Sequence, residues 1–175
     1  FLPIFLIVYG ITPRKYRNLT LLVGSIVFYA RGDVRYLPLL MISILCNYFL
    51  GLHLAKRSPK TLWRKKLLLI LTLGANLAVL LWFKDWGGSA GLPLGISFYT
   101  FQILSYQIDV YRGEVSREYS FLKFATYVIM FPKLISGPIT RYGDISDSLT
   151  ERTFTVRGLE DGMKLFILGL AAKVL

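Results

Sequence analysis

A chain of 175 residues is 54% hydrophobic and 15% aromatic and carries a formal net charge of +11, with a mean hydropathy of +0.53. This composition excludes an ordinary soluble domain and reads as an integral membrane protein. The basic residues form short clusters between apolar runs, as topology signals do, so nucleic acid is excluded as a partner and acidic membrane lipids are expected instead.

In chain order, Phe1 to Tyr9 reads as the remnant of a first membrane helix, opening in mid-run without Met or a charged leader, so no signal peptide is read. Arg14, Lys15 and Arg17 make a basic loop. Leu19 to Ala30 is a second apolar run, short against the roughly 20 residues of a full span. A loop over Arg31–Arg35 leads to a third run, Tyr36 to Ala55. Lys56, Arg57, Lys60, Arg64, Lys65 and Lys66 are the strongest basic cluster, and Leu67 to Phe83 crosses back. The alternation of basic and near-neutral loops places the first and third loops in the cytoplasm and the Trp86–Gly91 loop outside. Tyr36, Trp82 and Trp86 suit interfacial positions.

Leu94 to Tyr111 spans about 27 Å as a helix. Gln102, Ser105, Asp109 and Arg112 recur along it at steps that put them on one face. Such a stripe lines a polar tunnel or serves as interhelical hydrogen-bond glue; its position near a helix end favours glue, with Asp109 and Arg112 as an i,i+3 pair. Phe121 to Phe131 is apolar but short. Pro132 and Pro138, with Gly137 between them, prevent a simple helical continuation, so a broken or re-entrant segment is expected over about 132–142. Asp144 to Asp161 is polar, an interfacial or surface helix and loop. Met163 to Leu175 begins another membrane helix and closes the chain in an apolar run. The reading is a fragment of a longer membrane protein, cut at both ends.

Other chemistry is thin. Cys46, the single cysteine, sits in an apolar run and reads as a small buried hydrophobe; it supports no disulfide or cysteine-based metal site. His53, the single histidine, has no legible partner for metal binding or base catalysis. Gly95-Ile96-Ser97 starts like a nucleophile elbow but lacks its second glycine. No phosphate-loop, dinucleotide or zinc-protease motif occurs.

The segments PLGISFYTFQILSYQIDVYRG (Pro93–Gly113) and FPKLISGPITRY (Phe131–Tyr142) closely resemble the membrane-bound O-acyltransferase family, in particular its bacterial polysaccharide O-acetyltransferase branch, typified by the integral-membrane subunit of alginate acetylation. Arg17–Lys56 is similar to that branch as well. The teichoic-acid D-alanyl transferase branch shares the Gly-Ile-Ser and Ser-Gly-Pro-Ile pattern but fits less well between the motifs.

The resemblance implies an all-α, multi-span bundle with a central funnel, multi-pass in a bacterial cytoplasmic (inner) membrane. Its runs are about 1–9, 19–30, 36–55, 67–83, 94–111, 121–131 and 163–175, all in one domain. It implies acyl transfer from a cytoplasmic donor, acetyl-CoA or another acyl thioester, with no bound cofactor and no metal. The acceptor is a polysaccharide hydroxyl, reached directly or through extracytoplasmic acetylation partner proteins. Gln102, Asp109, Gly137, Pro138 and Arg141 fall in the motifs and are expected to wall the substrate tunnel. The family's catalytic histidine is expected beyond Leu175, so the catalytic set here is empty and the fragment alone inactive. The rival readings from other classes are a multispan transporter or export subunit, disfavoured by the absence of a repeat, and a non-catalytic membrane scaffold.

Overall fold

The computed structural model describes residues 1–54, 62–85, 91–134, 139–150 and 155–174. Among them the chain is all-helical. The helices are α1 (Leu2–Ile11), α2 (Arg17–Asp33), α3 (Leu37–Leu54), α4 (Leu62–Asp85), α5 (Ile96–Arg112), α6 (Phe121–Ile129), α7 (Phe131–Leu134), α8 (Tyr142–Thr150) and α9 (Val156–Val174). Pro3 and Pro38 sit in the first turns of α1 and α3, where a missing N–H has no intrahelical partner to lose.

Several helix ends depart from the apolar runs. The loop expected over Arg31–Arg35 is helical through Asp33 and then a 3-10 turn over Val34–Tyr36. α4 starts at Leu62 and takes in Arg64, Lys65 and Lys66, and α9 starts at Val156 rather than near Met163. For α4 the physical reason is that Arg and Lys are good helix formers, so a charge ends an apolar run without ending a helix. Among the described residues two helical runs, Arg14–Leu54 and Trp63–Asp85, are long and apolar enough to cross a membrane; α1 is apolar but shorter.

α5 is the central helix. Ile96, Tyr99, Ile103, Tyr106 and Val110 are buried in one cluster with Leu40 and Ile44 of α3, Leu80 of α4, and Phe124, Tyr127 and Val128 of α6. At one end of the bundle, Arg117 Nη1 donates to the Leu52 carbonyl (3.3 Å), and Leu54, Lys65 and Arg112 line one cavity. At the other end the Tyr36 hydroxyl donates to the Gly91 carbonyl (3.3 Å) and its ring meets Phe83 edge-on (5.6 Å). Thus α3, α4 and α5 run antiparallel in succession. The first of these ends carries Lys65, Arg112 and Arg117 and is termed the basic end below.

α6 starts at the basic end, with Phe121 against Tyr48 (5.4 Å) and the Ser120 hydroxyl accepting from the Lys123 N–H (3.4 Å). Its far end reaches the bundle interior, where the Phe131 N–H donates to Ser25 Oγ of α2 (3.1 Å) and the backbone of Leu134 abuts Gly95. The chain then comes back. Lys123 Nζ donates to Thr150 Oγ1 (3.1 Å), and Asn18 Nδ2 donates to the Leu149 carbonyl (2.8 Å). The stretch from Phe121 to Thr150 therefore enters and leaves by the same end.

Cys46 corrects its reading as a buried residue. It is exposed, on the same outward face of α3 as Ile42, Leu45 and Phe49. An apolar run says that a side chain avoids water, not whether protein or lipid receives it.

Candidate functional site

The site is built on α5. Gly95 starts the helix in the left-handed conformation (φ +67°), and Gly113 ends it likewise (φ +79°), its N–H returning to the carbonyls of the last turn. Gln102 and Asp109 are buried, Ser105 is half-buried and Arg112 is exposed. The four-residue stripe is therefore two buried groups, one partial and one outside.

Gln102 faces α6 and the returning segment. Its amide nitrogen donates to the Val128 carbonyl (3.0 Å), and its oxygen accepts from Lys133 Nζ (3.2 Å), the amide orientation being assigned from this network. Lys133 Nζ also donates to Thr140 Oγ1 (2.9 Å) and lies over the Tyr127 ring (4.4 Å from its centroid). The Tyr127 hydroxyl lies between the carbonyls of Thr140 (2.9 Å) and Gln102 (3.4 Å). Two amide or hydroxyl oxygens and an aromatic face thus surround one ammonium. Neither Lys133 nor Tyr127 was singled out from the sequence. The usable signal was a lysine between Pro132 and Leu134 in an otherwise apolar stretch, where an ionisable group is costly.

One end of this seam is charged. The Asp109–Arg112 pair expected from i,i+3 spacing does not form. Arg112 Nη1 lies 3.5 Å from Glu114 Oε1, and Arg141 Nη1 3.8 Å from Glu114 Oε2. The Gly113 turn brings Glu114 back alongside the helix end, and it takes both guanidiniums. Asp109 is left with one buried carboxylate oxygen that has no hydrogen-bond partner among the described residues, within electrostatic range of Arg141, Glu114, Arg112 and Asp144. Beside it, the Tyr142 hydroxyl donates to Glu118, and the Tyr106 hydroxyl accepts from the Glu118 N–H (3.0 Å). Of the residues expected to wall a tunnel, Gln102 and Asp109 lie buried on α5 and Arg141 lies at the charged end. Gly137 and Pro138 fall outside the described residues.

A chain similar to this one across nearly all its length is "Probable alginate O-acetylase AlgI" of Pseudomonas putida, 39% identical over 194 residues, which take in 99% of this chain and 40% of the relative. The protein of the same name from Pseudomonas aeruginosa is 38% identical, over 99% of this chain and 37% of its own. These relatives are members of the membrane-bound O-acyltransferase family, and the chain is similar to them over nearly its whole length. A further relative is the "Peptidoglycan O-acetyltransferase" of Helicobacter pylori, 31% identical over 99% of this chain and 42% of its own. The chain spans about two fifths of the length of the curated relatives it matches. No family model and no solved structure matches it.

The remaining polar groups form no nucleophile–base pair among the described residues. His53 is exposed at the end of α3, its Nδ1 bonded to the Phe49 carbonyl (2.8 Å). Ser97 is exposed on the first turn of α5. No group of three or more potential metal ligands occurs among the described residues. What the seam holds is one buried ammonium satisfied by oxygens and an aromatic face inside an apolar bundle.

Proposed function

We propose that this chain is part of a membrane O-acetyltransferase, folded as a multi-span bundle in a bacterial cytoplasmic membrane. In this reading it conveys an acetyl group from a cytoplasmic thioester donor, such as acetyl-CoA, towards hydroxyls of an extracytoplasmic polysaccharide such as alginate. The observation that carries the reading is identity of 36–39% over 99% of the chain to relatives named as alginate O-acetylases. Peptidoglycan is a second acceptor reading, resting on the relative at 31%; the higher identities favour alginate.

The α5 seam fits a wall of the acyl path. Gln102, Asp109 and Arg141 would line it with polar groups, and Gly137 and Pro138, in the same motif as Arg141, would belong to the same wall. The basic end would face the cytoplasm, in keeping with the positive-inside rule. The base that takes the hydroxyl proton would come from a histidine beyond Leu175, so the 175-residue stretch alone would not turn over. Extracytoplasmic acetylation proteins would complete delivery to the polymer.

The test is Arg141→Ala in the full-length protein, scored by the acetyl content of the secreted polysaccharide and by protein level in the membrane. Acetylation is expected to fall about tenfold with protein level unchanged, equivalent to about 1.4 kcal/mol of lost transition-state stabilisation. Full acetylation at normal protein level removes Arg141 from the path. A full-length protein without a membrane-embedded histidine past Leu175 sinks the enzyme reading itself.

A further inference from the structure

At the basic end, a cavity of about 540 Å³ opens between the end of α3, the start of α4 and the turn after α5. Among the described residues it is lined by the cations Lys65, Arg112 and Arg117 and by one carboxylate, Glu114. Glu114 is already engaged by Arg112 and by Arg141. Arg117 is pinned: Nε donates to the Tyr119 hydroxyl (2.7 Å), Nη1 donates to the Leu52 carbonyl (3.3 Å), and the guanidinium lies 4.6 Å from the Tyr119 ring centroid. Its remaining N–H groups are thereby held in place with no side chain to rearrange. Lys65 is half-buried, and its ammonium has no hydrogen-bond or ion-pair partner among the described residues. The α5 terminus does not oppose an anion as a bare helix end would. The carbonyls of Asp109 and Val110 already accept from the N–H groups of Gly113, Glu114 and Val115.

We infer that this cavity binds a phosphate group, with Lys65 and Arg117 as its principal ligands. The source the surroundings favour is the headgroup of an anionic phospholipid. Trp63, two residues from Lys65, is exposed as an interfacial anchor would be, and the outward faces of α3 and α4 are apolar. The inference rests on the membrane reading but not on acyl transfer, and its test does not score acetylation.

The full-length protein is reconstituted in nanodiscs of phosphatidylcholine with graded phosphatidylglycerol, and retained lipid is counted by native mass spectrometry. Phosphatidylglycerol is expected to be retained over phosphatidylcholine. Lys65→Gln should weaken that preference about fivefold, the share of one near-surface lysine. Lys65→Arg should keep it, and Lys164→Gln, an exposed lysine of α9 paired with Glu160, should leave it unchanged. A parallel titration of lipid-depleted protein with inorganic phosphate, read by thermal unfolding, separates the sources. A Lys65-dependent rise in melting temperature without lipid preference assigns the cavity to a soluble phosphate-bearing ligand. Equal weakening by Lys65→Gln and Lys164→Gln, or no Lys65-dependent response in either arm, overturns the site.

Discussion

Gly95 stands where two constraints meet. Its φ of +67° lies in the left-handed region, and an added Cβ would overlap the carbonyl oxygen of Leu134. The first constraint alone costs roughly 1–3 kcal/mol for a non-glycine residue. The second cannot be relieved by a rotamer change, because the obstacle is backbone. Gly95→Ala should therefore lower the melting temperature of the detergent-solubilised protein and displace Leu134, which adjoins Lys133. Gly74→Ala is the contrast: nothing lies within 4 Å of its Cβ position, and alanine is the better helix former by about 1 kcal/mol, so a neutral or raised melting temperature is expected there. At this scale the sequence was only partly legible. The steps along α5 set Gln102 and Asp109 on one helix face, and both are buried. The same steps paired Asp109 with Arg112, and that pair is absent because spacing along a helix does not foresee a turn that folds Glu114 back onto it.

Between elements, side-chain amides hold α3, α4 and α5 together. Asn47 and Asn76 exchange reciprocal hydrogen bonds (3.0 and 2.9 Å), each also donating to the carbonyl one turn earlier, Ser43 and Thr72. Gln107 Nε2 donates to the Asn47 carbonyl (2.7 Å). The close approach of α3 and α5 that permits this depends on Gly51, whose missing Cβ would sit 3.0 Å from the Tyr106 ring. Asn47→Leu should destabilise the protein by about 1–2 kcal/mol, since it deletes the exchange and leaves the Asn76 amide short of a partner. Asn47→Leu with Asn76→Leu should cost less than the sum of the singles. Unfolding free energies for the four proteins of the cycle measure the coupling, and strict additivity would remove the pair as a tie between helices. None of this was readable beforehand, because Asn47 and Asn76 lie in apolar runs separated by a basic loop. Helix type was readable and helix ends were not: apolar runs mark what lipid and core require, while the lysines and arginines flanking them continue the helix.

For the whole molecule, the outward faces of α1 to α4 and the described side chains of α9 carry many exposed large hydrophobics. Water does not tolerate so extensive an apolar surface on a monomer. Cys46 reports on it directly, being the chain's only cysteine, exposed, and near the middle of α3. In intact membranes it should resist a water-soluble maleimide, and after denaturation in SDS it should label fully; ready labelling in membranes would place that face in water. The sequence made this surface legible as a composition but could not say which apolar residues it comprised. Lipid and protein interior select the same side chains, so only packing could correct the reading of Cys46 as buried.

The path from Phe121 to Thr150 has a consequence for how such a protein can vary. A helix that crosses fixes the side on which everything after it emerges, so losing it inverts the remainder. A stretch that leaves by the end it entered preserves parity. It can lengthen or shorten while the chain still reaches Thr150 at the end where α5 arrived, which leaves it free to vary there without changing the end from which the chain continues.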